Sequence, residues 1–238
     1  MPEITHVPKH PLRRYLWTSV RDDLSRKMVF IGGPRQVGKT TFALSFLKTP
    51  PKNETHPAYM NWDRSEHRER LLSGELPVNE KILLLDEIHK FARWRNLVKG
   101  FYDTQKSKLS IIVTGSARLD YYRKGGDSLQ GRYHYYRLHP ISLRELDPAA
   151  NAKTVQQLLR FGGFPEPLFA GNDREHRRWQ KERQDQVLRD DLRDLERIRE
   201  VSLIELLVHH LPRCVGSPLS VKNLSGVLQV SYDSAARW

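Results

Sequence analysis

Cysteine is almost missing from this chain: Cys214 is the sole example in 238 residues. That excludes a disulfide framework and a cysteine-rich zinc module, and it suits a reducing compartment, so a cytoplasmic location is expected. Long apolar runs are lacking as well, and nothing approaches the ~20 residues of a membrane span. The N-terminus, MPEITHVPKHPLRRYLW, has no apolar middle of the secretory kind. No repeat at a solenoid period and no low-complexity tract interrupts the chain. Acid is in deficit, with 28 Asp+Glu against 40 Lys+Arg and a net charge of +12. Such an excess attracts polyanions without saying which.

What is present is enough for a core, with 38% hydrophobic and 9% aromatic residues. The charge is unevenly placed. Residues 1–150 hold 26 Lys+Arg and 16 Asp+Glu, a balance of +10, whereas residues 201–238 hold 3 and 2. The basic excess therefore belongs to the N-terminal part.

Short apolar runs alternate with helical patterns over the first 140 residues. Met28–Ile31, Ala58–Trp62, Ile82–Leu85 and Ser110–Val113 predict strands, and the near-continuous apolar ones suit a parallel sheet covered on both faces. Tyr133–Leu138 alternates and predicts an edge strand. Thr40–Lys48 and Phe91–Gln105 predict intervening helices, giving βαβ units and an α/β fold. After Pro140 the chain turns polar and helical. Apolar spacing returns with Leu203, Leu206 and Leu207 on one helical stripe. The expected organisation is an N-terminal helical segment (1–27), an α/β core (28–140), a helical lid or linker (141–200) and a small helical domain (201–238).

Gly33-Pro34-Arg35-Gln36-Val37-Gly38-Lys39-Thr40 matches G-x-x-x-x-G-K-[ST] in full. At average residue usage those constraints coincide by accident in about 1% of chains this long. The loop must wrap a triphosphate closely enough for backbone N–H groups to donate to it, and glycine permits that approach. Lys39 supplies a point charge for the β- and γ-phosphates. Thr40 offers a hydroxyl to Mg²⁺ and opens a helix whose N-terminus favours an anion. Gly33 through Thr41 form the candidate nucleotide-binding set, which calls for ATP with Mg²⁺.

Lys81-Ile-Leu-Leu-Leu-Asp86-Glu87 is an apolar strand ending in two acids. Asp86 is the candidate partner of Thr40 at the metal, and Glu87 the candidate base that polarises the attacking water. Both sit where open α/β sheets bind ligands, at the carboxyl ends of strands. The adjacent acids favour a hydrolase over a kinase, and no guanine-reading N-K-x-D segment is present. The next strand ends in Thr114-Gly115-Ser116, where either Thr114 or Ser116 would touch the γ-phosphate.

These stretches resemble a prokaryotic AAA+ ATPase family: GGPRQVGKTT (32–41), LLLDEIHK (83–90), W-x-x-L-V-K-G-F-Y-D (94–103), TGSA (114–117), LQGR (129–132), LHPISLREL (138–146) and GGFPEP (162–167). In that family an AAA domain precedes a winged-helix region and a nuclease-like domain of unknown function. The resemblance implies a five-stranded P-loop core with the phosphate-loop strand near its centre, ATP and Mg²⁺ as ligands, and self-association. It nominates Arg132 as an arginine finger for its own or a neighbouring site, the alternative being a structural partner for an acid. Lys99 and Asp103, at i, i+4 spacing, are candidates to pair with each other. Ile88-His89 stand where the family more often has a glutamine, and a surface position is expected for His89.

The C-terminal stretch from Ser220 to Ser231 predicts a helix-turn-helix. Ser220 and Ser231 cap the two helices, and Leu228-Gln229-Val230 makes the turn, with Gln229 where glycine is usual. Tyr232, Asp233, Ser234 and Arg237 are its expected exposed groups. The sequence stops before a wing hairpin, so a partial winged helix, cut short by the chain end at Trp238, is expected. Three activities compete: an ATP-hydrolysing switch or motor, an ATP-regulated DNA-binding protein, and a non-hydrolysing scaffold that docks a protein partner.

Overall fold

A computed structural model describes residues 12–47, 53–115, 119, 129–187 and 201–237. Five strands form one parallel sheet: β1 (Met28–Gly32), β2 (Tyr59–Asn61), β3 (Ile82–Asp86), β4 (Ser110–Thr114) and β5 (Tyr133–Arg137), in the order β2-β3-β4-β1-β5. The α/β class holds, and all five expected strands are present. β5 is the edge strand its alternation called for. β4 takes the central place and β1, which leads into the phosphate loop, lies beside it, near the centre as the resemblance implied.

Strand geometry sends successive side chains to opposite faces, and the core follows that alternation. Val29, Ile31, Leu84 and Ile112 face one side, where Phe42, Ala43 and Phe46 cover them. Met28, Phe30, Leu83, Leu85, Ile111 and Val113 face the other, under Trp94, Val98 and Phe101. Helix α1 (Trp17–Asp23) precedes β1, α2 (Lys39–Leu44) follows it, α3 (Ser65–Ser73) follows β2, and α4 (Trp94–Gln105) precedes β4. The helix expected over Thr40–Lys48 is therefore shorter, and that over Phe91–Gln105 starts three residues later, after a 3-10 turn at Ile88–Lys90. Tyr136 Oη donates to Asp23 at 2.5 Å and ties the edge strand to α1. Burial and that bond raise the Tyr136 phenol to about 12.

Beyond β5 come α5 (Leu143–Leu146), α6 (Ala152–Phe161), α7 (Pro165–Ala170) and α8 (Asp173–Gln186). Helix α5 opens with a capping box of Ser142 and Glu145. Asn151 caps α6 by accepting from the Thr154 N–H. Ile141 N–H donates to Gly163 O at 2.7 Å, holding the GGFPEP turn against the segment after β5.

The chain divides into two compact units, the first ending at His176 and the second starting at Arg177. The second contains α9 (Val201–His210), α10 (Val221–Leu228) and α11 (Tyr232–Arg237). Leu207, Leu224 and Leu228 form its apolar centre. On α9 the buried positions are Ile204 and Leu207, while Leu206 is exposed, contrary to the expected stripe. Helical spacing places Ile204 and Leu207 three residues apart on one face, and Leu206 turns away from it. Gln229 sits in the left-handed region at φ 53 and makes the turn between α10 and α11. Ser220 Oγ and Ser231 Oγ accept from the N–H groups of Asn223 and Ser234, capping both helices as expected. Tyr232, Asp233 and Arg237 are exposed, whereas Ser234 is half-buried and its hydroxyl accepts from Ser231. No helix among the described residues is long and apolar enough to cross a membrane.

Candidate nucleotide site

The register aligns Asn61, Asp86, Thr114 and Ile31 at the carboxyl end of the sheet, so the phosphate loop and both acids share one edge. Within the loop, Gln36 (φ 62) and Gly38 (φ 88) are left-handed on either side of Val37. That alternation turns successive N–H groups toward one concavity suited to an anion. Gly33 (φ 140) leaves no room for a side chain, since a Cβ there would sit 2.4 Å from Leu138 O. Lys39 is buried and its Nζ donates to Gly33 O at 3.1 Å and Pro34 O at 2.8 Å. These carbonyls hold the ammonium inside the loop it would share with phosphate oxygens.

Asp86 is 5% exposed and collects three hydroxyls. Thr40 Oγ1 donates to its Oδ2 at 2.9 Å, Tyr59 Oη to Oδ2 at 2.8 Å, and Thr114 Oγ1 to Oδ1 at 2.6 Å. The bond from Thr40 joins the two motifs across 46 residues. A hard divalent cation takes hydroxyl and carboxylate oxygens, so Thr40 and Asp86 fit Mg²⁺ and would hold it. Thr114 lies at the site, with its hydroxyl directed to Asp86. Ser116, its alternative, falls outside the described residues. Tyr59 went unnoticed in the sequence, although a tyrosine amid apolar neighbours in a short strand was a signal. Burial first, and then the Asp86 charge, push its phenol well above the ordinary range.

Glu87 follows Asp86 in a left-handed conformation (φ 56), rare for a side chain of this kind, and its N–H donates to Thr114 O at 3.1 Å. Burial and the Asp86 charge raise its carboxyl above the usual value, while Lys90 and Lys39 act against the shift. A less acidic carboxylate is a better proton acceptor from water. His89 is buried, at 3% exposure, not on the surface as expected. Its Nε2 lies 3.7 Å from Glu87 Oε2, and its ring packs where a Cβ on Gly115 would come within 2.6 Å of Nδ1. The 3-10 turn after Glu87 directs the ring inward to the end of β4, which a linear pattern cannot show.

Arg14, only 7% exposed, braces the loop from behind. Its Nε pairs with Glu145 Oε1 at 2.8 Å, while Nη1 donates to Val37 O at 3.1 Å and Nη2 to His139 O at 2.5 Å. Glu145 also accepts from the N–H groups of Tyr15 and Ser142.

Arg132 lies at the opposite end of the sheet. Its carbonyl accepts from Met28 N–H, at the start of β1, and its guanidinium pairs with Asp103 at 2.9 Å. Five strand residues at ~3.3 Å each separate that level from the phosphate loop, so Arg132 does not join the site of its own chain. Asp103 pairs with Arg132 instead of with Lys99, because the strand start brings the guanidinium to α4.

An AAA domain matches residues 25–147, just over half of the chain. Residues 152–238 match a domain of unknown function (DUF8612). An uncharacterized protein of Methanocaldococcus jannaschii is 24% identical over 229 residues, covering 87% of this chain and 51% of that protein. An uncharacterized protein of Haemophilus influenzae is 24% identical over 161 residues, covering 59% and 40%. The chain thus spans about half the length, or less, of these curated relatives. Among solved structures, the Thermotoga maritima RuvB Holliday junction branch migration motor has a TM-score of 0.42 at 17% identity, covering 93% of this chain and 82% of that one. The S. cerevisiae Hsp104–ADP complex gives 0.40 at 15%, covering 94% and 40%. With the P-loop sheet in place and the match extending through it, the chain belongs to the AAA domain family.

Proposed function

We propose that this protein binds ATP with Mg²⁺ and hydrolyses it, working as a switch or motor built on residues 28–140. The observation that supports this most is the 2.9 Å bond from Thr40 to Asp86, which brings a phosphate-binding helix and an acid-tipped strand to one point. Lys39 and the Gly33–Thr41 backbone bind and orient the triphosphate. Bound Mg²⁺ supplies charge neutralisation at the transferred phosphoryl group. Tyr59 and Thr114 fix Asp86, whose remaining electron pairs would be available to hold Mg²⁺ together with the Thr40 hydroxyl. Glu87 accepts the proton of the attacking water, and Thr114, through Asp86, relates the β4 end to the phosphate.

Arg132, out of reach of its own loop, is proposed to act in trans, toward the nucleotide of a second copy in a homo-oligomer. The bond to Asp103 would then orient it. The helix-turn-helix of residues 220–237 is proposed as the element that carries the output to a DNA or protein partner.

The test is Mg²⁺-dependent phosphate release by the full chain. Lys39→Ala is expected to lose nucleotide binding. Glu87→Gln is expected to keep ATP bound without turnover. Hydrolysis unchanged in Glu87→Gln would remove Glu87 from its role.

A further inference from the structure

At the end of the sheet away from the phosphate loop, the turn between α1 and β1 meets α4 and the start of β4 around a cavity of about 120 Å³. Its rim carries Arg26, Lys27 and Lys106, and its lining includes Ser25, Tyr102 and Ser110. Among the described residues no acidic side chain lines it.

The polar groups of the wall are already committed to backbone. Tyr102 Oη donates to Arg26 O, Ser110 Oγ to Leu24 O at 2.9 Å, and Ser25 Oγ to Asp22 O at 2.7 Å. The backbone N–H groups of Arg26 and Lys27 both donate to Asp23 O at 2.9 Å. These bonds pin the turn open and set its shape. The three cations are different: among the described residues none of their side chains makes a hydrogen bond or an ion pair. Of the neighbouring acids, Asp22 bonds with Arg21, Asp23 accepts from Tyr136, and Asp103 on α4 is held by Arg132, whose bond, with lesser help from Lys99 and Lys106, keeps its carboxyl below the usual range. Three cations around one polar cavity repel each other unless an anion sits among them. The space admits one tetrahedral oxyanion with its waters, and the uneven charge of the chain, +10 within residues 1–150, points the same way.

We propose that this cavity is a second site for a phosphate group, separate from the phosphate loop and independent of hydrolysis. The group can come from a nucleic-acid backbone or from free phosphate, since both present the same tetrahedral oxyanion to the same cations.

The test uses the full chain carrying Lys39→Ala, which silences the phosphate loop, so failure of the ATPase reading leaves the result intact. On that background, Arg26→Ala, Lys27→Ala and Lys106→Ala are combined. A control removes three exposed charges elsewhere, at Arg144, Lys153 and Arg174. Calorimetric titration with inorganic phosphate and anisotropy of a labelled DNA duplex at two salt concentrations are compared, with thermal melting as the check on folding. The cavity variant is expected to weaken phosphate or duplex binding about tenfold while the control does not, and a duplex would also show a salt slope shallower by about 1. Loss confined to phosphate assigns the free ion as the source, and loss with the duplex assigns the backbone. Equal binding by the cavity variant and its parent, or equal loss in the control, overturns the proposal. Should the triple variant melt early, Lys106→Glu alone at its exposed position must give the same loss or the proposal falls.

Discussion

Replacing Glu145 with alanine probes the brace behind the phosphate loop. The guanidinium of Arg14 is 7% exposed and the Glu145 side chain 3%. Removing one partner of a buried pair costs about 3–5 kcal/mol, because the other charge is left without compensation. Here Val37 O and His139 O still accept from Arg14, which places the loss near the lower end. The same carboxylate closes the capping box of α5, and a lost cap adds about 1 kcal/mol. A total of about 4 kcal/mol lowers the melting temperature by roughly 8–16 °C in a chain of this size. Urea unfolding at neutral pH measures it. The paired change Arg14→Met with Glu145→Leu is expected to cost less than the sum of its parts, since no bare charge remains.

The pH dependence has a definite sign. Burial acts to raise the Glu145 carboxyl, but the Ser142 N–H, the Arg14 guanidinium and the Tyr15 N–H outweigh it and bring the pKa below 4.5. A carboxylate depressed on folding stabilises fully above its unfolded value and loses that contribution as pH falls through the folded one. The gap between wild type and Glu145→Ala is therefore flat from pH 8 to about pH 6 and narrows in acid. A loss under about 1 kcal/mol at pH 7, or a gap that widens in acid, would refute the brace.

Tyr59→Phe removes one of three hydroxyls from Asp86 and is expected to lower stability by about 1–2 kcal/mol, read from the urea midpoint; an unchanged midpoint rules out a net contribution from that bond. In Gly115→Ala the new Cβ would meet Leu119 Cδ1 at 2.1 Å and His89 Nδ1 at 2.6 Å, so the ring beside Glu87 must move. Turnover is expected to drop about 10–100-fold with ATP affinity within about twofold, and an equal loss in both would point to a general distortion. Gln229→Gly relieves a left-handed side chain at φ 53 and is expected to add about 0.5–1 kcal/mol to the protection of α10 and α11 amides in hydrogen exchange. Unaltered or weakened protection would show that the turn carries no strain.

The order of the strands along the chain, the phosphate loop and the acid pair could all be read before any coordinates. Each is written in contiguous residues, because strand burial has a period of two and a triphosphate needs glycines, lysine and a hydroxyl at fixed spacing. Even Gln229 could be placed in the turn by its neighbours, and only its φ had to be observed. The surroundings of the site were of another kind. Arg14 and Glu145 are 131 residues apart and meet only because the segment after β5 returns along the loop. Tyr59 reaches Asp86 through strand register, and His89 turns inward because the residue before its 3-10 turn is left-handed. Arg132 occupies the far end of the sheet because β5 runs parallel to β1. The sequence alone determined which groups are proposed to hold a nucleotide, since that chemistry is local. Only the tertiary structure decided which groups hold those groups in place, since such contacts form through chain closure that no linear spacing encodes.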